Sequence, residues 1–153
     1  ANYILGGGGF QTRLYKNIRE KRGLVYSVYS YLLSYEEDGV IVGGFQTRNK
    51  SVYETIKRVK EEWKEIEIKG ITKSELDDAK AYYNGSFTRN FTSTLSIAKL
   101  LQIVQYYNLG ENYFKKRNEL INSLSLEKVN NFISEFFKSE GLFFMIVGEP
   151  EKK

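Results

Sequence analysis

Cysteine and histidine are both absent from the 153 residues of the chain. Without cysteine there are no disulfides and no thiolate nucleophile, and without histidine there is no imidazole to bind a metal or to activate a serine or cysteine. We therefore expect this chain alone to carry no metal site or other cofactor, and not to be an enzyme by itself.

Long apolar runs and blocks of like charge are also missing. No run approaches the ~20 apolar residues that a membrane-spanning helix needs. The 23 basic and 19 acidic side chains are interspersed, for a net charge of +4, whereas nucleic-acid binding needs clustered basic residues. We expect a soluble protein with no membrane span and no nucleic-acid partner. The compartment is not assigned, although the cytoplasm is compatible with these features.

Proline occurs once, whereas 41% of the residues are hydrophobic and 15% are aromatic, which favours one folded domain with a real core. The patterns predict a short helix capped by Thr12 and ending at Gly23, a hairpin of strands 24–33 and 40–46, and a last buried strand 142–147. Helices are predicted over 50–67 and from 72 to about 87. A further helix follows the Thr/Ser-rich stretch 88–96 and ends at 109, and two more are predicted over 113–122 and 126–137. This order predicts an α+β fold, a two-layer sandwich with a mainly antiparallel sheet packed against several helices.

Four glycines, Gly6 to Gly9, follow the short helical opening of the chain. A phosphate-binding loop would need a Gly-Lys-Ser/Thr continuation, which the sequence lacks, and the dinucleotide fingerprint would need a preceding strand. We expect the helix to stop at these glycines and the run to form a flexible or tight connection. Its lack of side chains would let another chain lie close to the backbone.

Arg19 and Tyr26 stand at the two ends of a predicted helix–turn–strand reversal. A guanidinium offers five N–H donors and a phenol one O–H donor, so together they could hold a peptide and stabilise an oxyanion. From spacing alone, the commoner explanation is a surface arginine and a strand tyrosine with no joint role.

Several short stretches together resemble the second, non-zinc domain of the pitrilysin family of metallopeptidases, which includes the mitochondrial processing peptidases and insulin-degrading enzymes. The fairly specific ones are the glycine run with Arg13-Leu14 after it, and residues 18–28, IREKRGLVYSV. Weaker landmarks follow in the right order, namely residues 45–48, 70–72, 75–76, 79–80 and 147–148. The likeness covers nearly the whole chain.

The resemblance implies a division of labour between two domains. One domain carries zinc on an inverted H-x-x-E-H motif, and the domain similar to this chain supplies an arginine and a tyrosine across a chamber. By this resemblance Arg19 holds the backbone of a peptide or unfolded polypeptide substrate, Tyr26 donates to the scissile carbonyl, and Gly7 and Gly8 lie along the substrate. Zinc is then expected in the partner domain or subunit.

Residues 1–150 match a single C-terminal, substrate-binding domain of this family that lacks its first strand and most of its first helix. A sheet with an exposed edge could pair with a second copy, so a homodimer is one expectation. The main alternative function is a structural or assembly subunit of the same fold without peptidase activity. A basic nucleic-acid-binding domain is a third and weaker alternative.

Two acidic clusters raise the question of a bound cation. Asp77-Asp78 and the residues 36–38 lack the alternating oxygen spacing of a calcium loop, so a helix surface and a turn explain them better. We also expect Trp63 to lie in the core.

Overall fold

The computed structural model describes residues 1–35 and 37–151. These residues form two compact units, one made of Ala1–Ile71 together with the chain from Glu127 onward, the other of Thr72–Leu126. The strands are β1 (Val25–Ser34) and β2 (Gly39–Thr47), and the α-helices are α1 (Val52–Lys69), α2 (Lys73–Ser86), α3 (Thr94–Tyr106), α4 (Tyr113–Asn122) and α5 (Leu126–Phe136). Two π-helices, Tyr3–Gly7 and Tyr15–Glu20, precede β1.

The predicted hairpin is confirmed. β1 and β2 pair in antiparallel fashion, with Ser30 opposite Gly43, and the register is irregular between Val25 and Val28. At the hairpin end the N–H of Tyr35 donates to the C=O of Asp38 at 2.7 Å. Glu36 of the predicted turn lies outside the described residues.

The core of the first unit is built on the apolar stripe of α1. Trp63 is 8% exposed and Ile66 is fully buried, and the Trp63 ring stacks on Phe137 with centroids 5.7 Å apart. Leu5 and Ile133 are also fully buried, so the first π-helix and α5 contribute to the same unit. The helical periodicity of the sequence therefore predicted this stripe correctly, as expected for a helix that buries one face.

The helix at the start of the chain runs further than predicted. The π-helix Tyr3–Gly7 continues through the first two glycines instead of stopping before them. Gly6 allows close packing and does not stop the helix, because a Cβ added at Gly6 would lie 2.3 Å from Ser30 Oγ of β1. The following helix begins as predicted, since the Oγ1 of Thr12 accepts the N–H of Tyr15 at 3.2 Å.

The prediction of a buried strand over residues 142–147 is wrong. Within the described part of the chain this segment belongs to no sheet, and Phe143, Met145 and Val147 are 85%, 82% and 93% exposed. A β-type sequence needs a partner backbone to become a strand. Here a cavity of 650 Å³ lies between β2 and the segment.

The second unit contains α2, α3 and α4. Thr72 and Glu75 form the predicted capping box at the start of α2, and a 3₁₀ segment, Phe87–Phe91, follows that helix. The second helix of this region ends at Tyr106 rather than at residue 109. Asn108 explains the earlier end, because its φ of 49° is left-handed and cannot continue a right-handed helix.

Candidate functional site

Arg19 and Tyr26 come together because the chain reverses sharply between them. Arg19 lies in the last turn of the π-helix Tyr15–Glu20. Gly23 takes a φ of 60°, a conformation that suits glycine at the end of a helix, and its N–H donates to the C=O of Arg19 at 2.8 Å. β1 then starts at Val25 and carries Tyr26 back beside the helix.

The Arg19 guanidinium lies close to two tyrosine rings. Its Cζ lies 5.1 Å from the ring centroid of Tyr26 and 4.7 Å from that of Tyr15. Both distances are within the range of a cation–π contact. Tyr26 is 79% exposed and Arg19 is half-buried, so the two groups face solvent together.

The polar atoms of this pair are not used by the rest of the described chain. Over residues 1–35 and 37–151, neither the guanidinium of Arg19 nor the hydroxyl of Tyr26 makes a hydrogen bond or ion pair. Their N–H and O–H donors are therefore free to bind a carbonyl or carboxylate group of a ligand. This arrangement suits substrate binding and stabilisation of negative charge on oxygen.

Tyr15 and Phe10 extend the pair, and the sequence analysis did not assign them to the site. The rings of Phe10 and Tyr15 meet edge to face at 5.0 Å, and Phe10 is 69% exposed. Tyr15 was counted only as an apolar helix position. The signal that identifies it is its spacing of four residues from Arg19, which places the two side chains on one helix face.

Gly7 and Gly8 pack against the residues that begin the chain. A Cβ added at Gly7 would lie 2.9 Å from Asn2 Nδ2, and one added at Gly8 would lie 2.8 Å from the C=O of Tyr3. Asn2 also bonds β1, donating from Nδ2 to the C=O of Ser30 at 3.3 Å. The nearest atoms around both glycines thus belong to this hairpin and helix, and not to Arg19 or Tyr26.

The helix that carries Arg19 is anchored to α1 by two polar contacts. Asn17 Nδ2 donates to Glu62 Oε2 at 2.7 Å, and Arg13 Nη2 donates to the C=O of Gly70 at 3.0 Å. Burial raises the pKa of Glu62, although the hydrogen bond from Asn17 opposes this shift. These two contacts join the chain around the helix to α1 and to the residue that follows α1.

No metal site is present in the part of the chain that the structure describes. Over these residues, no group of three or more Asp, Glu, His or Cys side chains could hold an ion. Asp77 and Asp78 lie in α2, where Asp77 pairs with Lys73. Across the described ranges, no helix has both the length and the apolarity to cross a membrane.

Comparison with known proteins assigns the family. The model of the peptidase M16 inactive domain matches residues 1–83. This chain belongs to that family. The predicted fold class and the resemblance to the zinc-free domain of these metallopeptidases are confirmed.

Relatives and solved structures agree with this assignment. The chain is 34% identical to a non-peptidase homolog named YmxG of Helicobacter pylori, over 95% of this chain and 34% of that protein. It is 32% identical to an uncharacterised zinc protease of Bacillus subtilis, also named YmxG, over 91% of this chain and 34% of that protein. The peptidase M16 inactive domain from Pseudomonas fluorescens superposes with a TM-score of 0.81 at 36% identity, covering 90% of this chain and 33% of the other. The chain thus spans about a third of the length of each of these three proteins.

Proposed function

We propose that this chain is the non-catalytic, substrate-binding half of a zinc-dependent metalloendopeptidase, with residues 1–150 as its C-terminal domain. Arg19 holds the backbone of a peptide or unfolded polypeptide, and Tyr26 donates its hydroxyl proton in a hydrogen bond to the scissile carbonyl as that oxygen becomes an oxyanion. The observation that carries the proposal is the exposed pair itself. The Arg19 Cζ lies 5.1 Å from the Tyr26 ring centroid, and no described residue accepts a hydrogen bond from the guanidinium or from the tyrosine hydroxyl.

The partner contributes what this chain lacks. A domain or subunit with an H-x-x-E-H motif supplies the zinc ion, which activates the attacking water and polarises the carbonyl. The guanidinium of Arg19 offers several N–H donors in a planar fork, so it binds backbone carbonyls whatever the substrate side chains are. Gly7, which is exposed, and Gly8, which is half-buried, add a stretch of backbone along which an extended substrate lies.

The test uses the assembled protein, in which the zinc-bearing half is present. Arg19→Ala and Tyr26→Phe are each expected to lower cleavage of a labelled unfolded polypeptide by about a hundredfold, the usual effect of losing one oxyanion donor. The zinc content, measured by elemental analysis, is expected to stay unchanged. Tyr31→Phe is the matched control, since Tyr31 is another exposed tyrosine of β1 at 44%.

Full turnover in both site variants would overturn the proposal. It would instead favour the second candidate, a structural or assembly subunit of the same fold. That candidate draws support from the relative that is described as a non-peptidase homolog. It predicts that Arg19→Ala leaves every activity of the assembly intact, whereas substitutions that disturb the surface joining the subunits prevent assembly.

A homodimer through the exposed edge of the sheet remains a prediction. β2 pairs only with β1 in the described sheet, and an unpaired edge can accept another strand. Sedimentation equilibrium over a hundredfold range of concentration would test it. A constant monomer mass would exclude this association at those concentrations.

A further inference from the structure

One face of β1 carries a line of large side chains that no part of the described chain covers. Tyr29, Tyr31 and Leu33 lie two residues apart in the strand, and Tyr35 continues the line directly after it. All four side chains are exposed. Because residues two apart in a strand point to the same face of a sheet, these side chains form one surface. We name the four residues the tyrosine stripe.

The tyrosine stripe lies on the same face of β1 as Tyr26. From Val25 to Val28, three steps of β1 match two steps of β2, so β1 contains one extra residue. This irregularity is a β-bulge. Val25 and Val28 are both buried, which places them on one face and leaves Tyr26 on the other. The tyrosine stripe therefore continues the candidate site along the strand.

The opposite face of β1 is closed by the same unit of the chain. Val28 and Ser30 are buried there. The π-helix Tyr3–Gly7 packs on this side, since a Cβ added at Gly6 would lie 2.3 Å from Ser30 Oγ. The accessible face of β1 is thus the one that carries the tyrosine stripe.

Two contacts order the first rings of the tyrosine stripe. The Tyr29 ring lies across Gly44, its partner in β2, where an added Cβ would be 2.8 Å from Tyr29 Oη and 3.1 Å from its Cζ. The rings of Tyr29 and Tyr31 stack, with centroids 6.1 Å apart and an angle of 15° between their planes. Rings that are already ordered lose little conformational entropy when a ligand binds.

The hairpin that presents the tyrosine stripe is uncharged. Residues 25–34 and 39–47 contain no Lys, Arg, Asp or Glu, although 27% of the whole chain is charged. A charged side chain of a ligand would lose water there without gaining a partner. An apolar or aromatic side chain would instead remove ring surface from water, which is favourable.

We propose that the tyrosine stripe binds the side chains of an extended substrate segment next to the scissile bond, and that it selects apolar or aromatic side chains at every second position. The inference rests on the proposed function, because Arg19 and Tyr26 place the scissile bond at one end of the stripe. Side chains on one side of an extended chain recur about every 6.6 Å, which is also the repeat along the stripe. The stripe extends over roughly 20 Å, the length of about six substrate residues.

The chemistry of the tyrosine stripe favours a passing substrate over a permanent partner. The hydroxyl groups of Tyr29 and Tyr31 make no hydrogen bond with any described residue. Under a permanent interface with the zinc-bearing half or with a second copy, each buried hydroxyl would need a partner. With a substrate that binds on the rings and leaves, the hydroxyl groups stay in water.

The experiment compares matched labelled peptides on the assembled protein that contains the zinc-bearing half. Within a pair the peptides share one cleavable sequence, and they carry either Phe or Ser at alternate positions on one side of the scissile bond. One pair is made for each side. For at least one pair we expect kcat/KM to be about tenfold or more higher for the Phe peptide, mainly through a lower KM. The double variant Tyr29→Thr with Tyr31→Thr is expected to reduce this preference to about twofold or less, with unchanged zinc content.

Leu32→Thr is the matched control for the double variant. Leu32 lies in the same strand and is 57% exposed, against 50% for Tyr29, but it points to the opposite face. It should keep the full preference, and Tyr31→Phe should keep it too, because the ring makes the contact. Threonine suits a strand, and amide hydrogen exchange of the hairpin checks that each variant is folded. If the double variant does not fold, Tyr31→Thr alone is expected to reduce the preference about threefold.

Peptide binding to the EDTA-treated assembly, followed by fluorescence anisotropy, gives the same comparison without cleavage. The inference is overturned if the double variant keeps the full preference, or if it weakens both peptides of each pair equally. It is also overturned if the double variant separates from the zinc-bearing half in sedimentation, or if the wild type alone doubles its mass, since the stripe would then be an interface.

Failure of this inference is distinguishable from failure of the proposed function. Arg19→Ala is expected to slow cleavage of both peptides of a pair alike, because it acts on the backbone and not on the alternate side chains. Slower cleavage in Arg19→Ala without a preference that depends on the tyrosine stripe would remove the stripe alone. Full turnover in Arg19→Ala and Tyr26→Phe, with a preference that the double variant abolishes, would remove the catalytic pair and keep the stripe as a binding surface.

Discussion

At the scale of single residues, Tyr15 is the side chain that holds Arg19 in place. Its ring centroid lies 4.7 Å from the Arg19 Cζ, and that of Tyr26 lies 5.1 Å from the same atom. An exposed cation–π contact contributes about 0.5–1 kcal/mol. Tyr15 therefore limits the freedom of the Arg19 side chain, which makes no ion pair with any described residue, so that less side-chain entropy is lost when a ligand binds.

Replacing Tyr15 tests this role. Tyr15→Leu is expected to raise the KM for a peptide substrate of the assembled protein about two- to fivefold, the equivalent of the lost stacking energy, and to leave kcat nearly unchanged. Tyr15→Phe keeps the ring and should behave as the wild type. Relaxation of the Arg19 Nε–H group by NMR gives a second readout. Equal Arg19 order in the leucine and phenylalanine variants would contradict the role.

The burial of the Glu62 carboxyl group makes the free energy of unfolding depend on pH. Its pKa is raised above the ordinary value of 4.5, mainly by desolvation, while the Asn17 hydrogen bond opposes the shift. A carboxyl whose pKa is higher in the folded state favours folding when protonated, and this contribution is lost as pH rises through the folded-state pKa. Glu62→Gln is therefore expected to be more stable than the wild type at pH 7.

The two proteins should converge below pH 4.5, where the wild-type carboxyl is protonated in both states. Urea unfolding followed by Trp63 fluorescence between pH 4 and pH 8 measures the difference. Glu61→Gln is a suitable control, because Glu61 lies beside Glu62 but is exposed and pairs with Arg58. A constant difference across the pH range would show that titration of Glu62 is not the cause.

At the scale of the elements, the capping box of α2 is a local device that the sequence alone revealed. The N–H of Glu75 donates to Thr72 Oγ1 at 3.2 Å, and the N–H of Thr72 donates to Glu75 Oε2 at 2.8 Å. Thr72→Ala is expected to lower the stability of α2 by about 1 kcal/mol. The loss is measured as faster amide hydrogen exchange at the start of α2. Thr92→Ala serves as control, since Thr92 only donates to the C=O of Arg89. Equal exchange in the two variants would show that the cap is not stabilising.

Gly70, at the end of α1, is required by a tertiary contact. Its φ is 68° and its ψ is −154°, a conformation that essentially only glycine adopts. A Cβ there would lie 2.4 Å from Asn130 Oδ1, which accepts the N–H of Ile71 at 2.8 Å. Asn130 of α5 thus binds the chain where it leaves α1. The close approach is invisible in the sequence, because the two residues are far apart along it.

Substitution of Gly70 separates strain from crowding. Gly70→Ala is expected to lower the free energy of unfolding by about 1–3 kcal/mol from backbone strain alone, with a further loss from the Asn130 contact. Gly23→Ala is the matched variant, because Gly23 also has a positive φ of 60° but no atom within 4 Å of an added Cβ. Gly23→Ala should lower the free energy of unfolding, measured by chemical denaturation, by less than Gly70→Ala does. An equal loss would mean that crowding at Asn130 contributes nothing.

At the scale of the whole molecule, the chain has none of the histidine and cysteine side chains that commonly bind zinc. The absence of histidine and cysteine predicts that added zinc does not stabilise it. The unfolding temperature is expected to be the same within error in 1 mM EDTA and in a slight excess of Zn²⁺. A reversible increase with zinc that follows a one-site binding curve would reveal a metal site and contradict this prediction.

Part of this molecule follows from local sequence rules. The hairpin, the stripe of α1, the cap of α2 and the bounds of α4 each depend on side chains within a few residues of one another, so periodicity and capping patterns predict them. The proximity of Arg19 and Tyr26 also has a local cause, since a helix stop at Gly23 turns the chain back within a short distance, whereas a joint role of the two residues in a site stays a prediction.

Tertiary structure decided the features that depend on distant partners. Residues 142–147 have the sequence of a buried strand, but strand pairing is a property of two backbones, and no described strand lies beside them. The glycine run was predicted to stop the helix and form a flexible or tight connection, whereas the helix continues through Gly6 and Gly7 and Ser30 of β1 lies so close that only glycine fits at residue 6. The sequence by itself determined which chemistry is excluded and which side chains can form a site. Long-range packing determined where backbones meet and where a gap remains, because those contacts join residues that no local pattern connects.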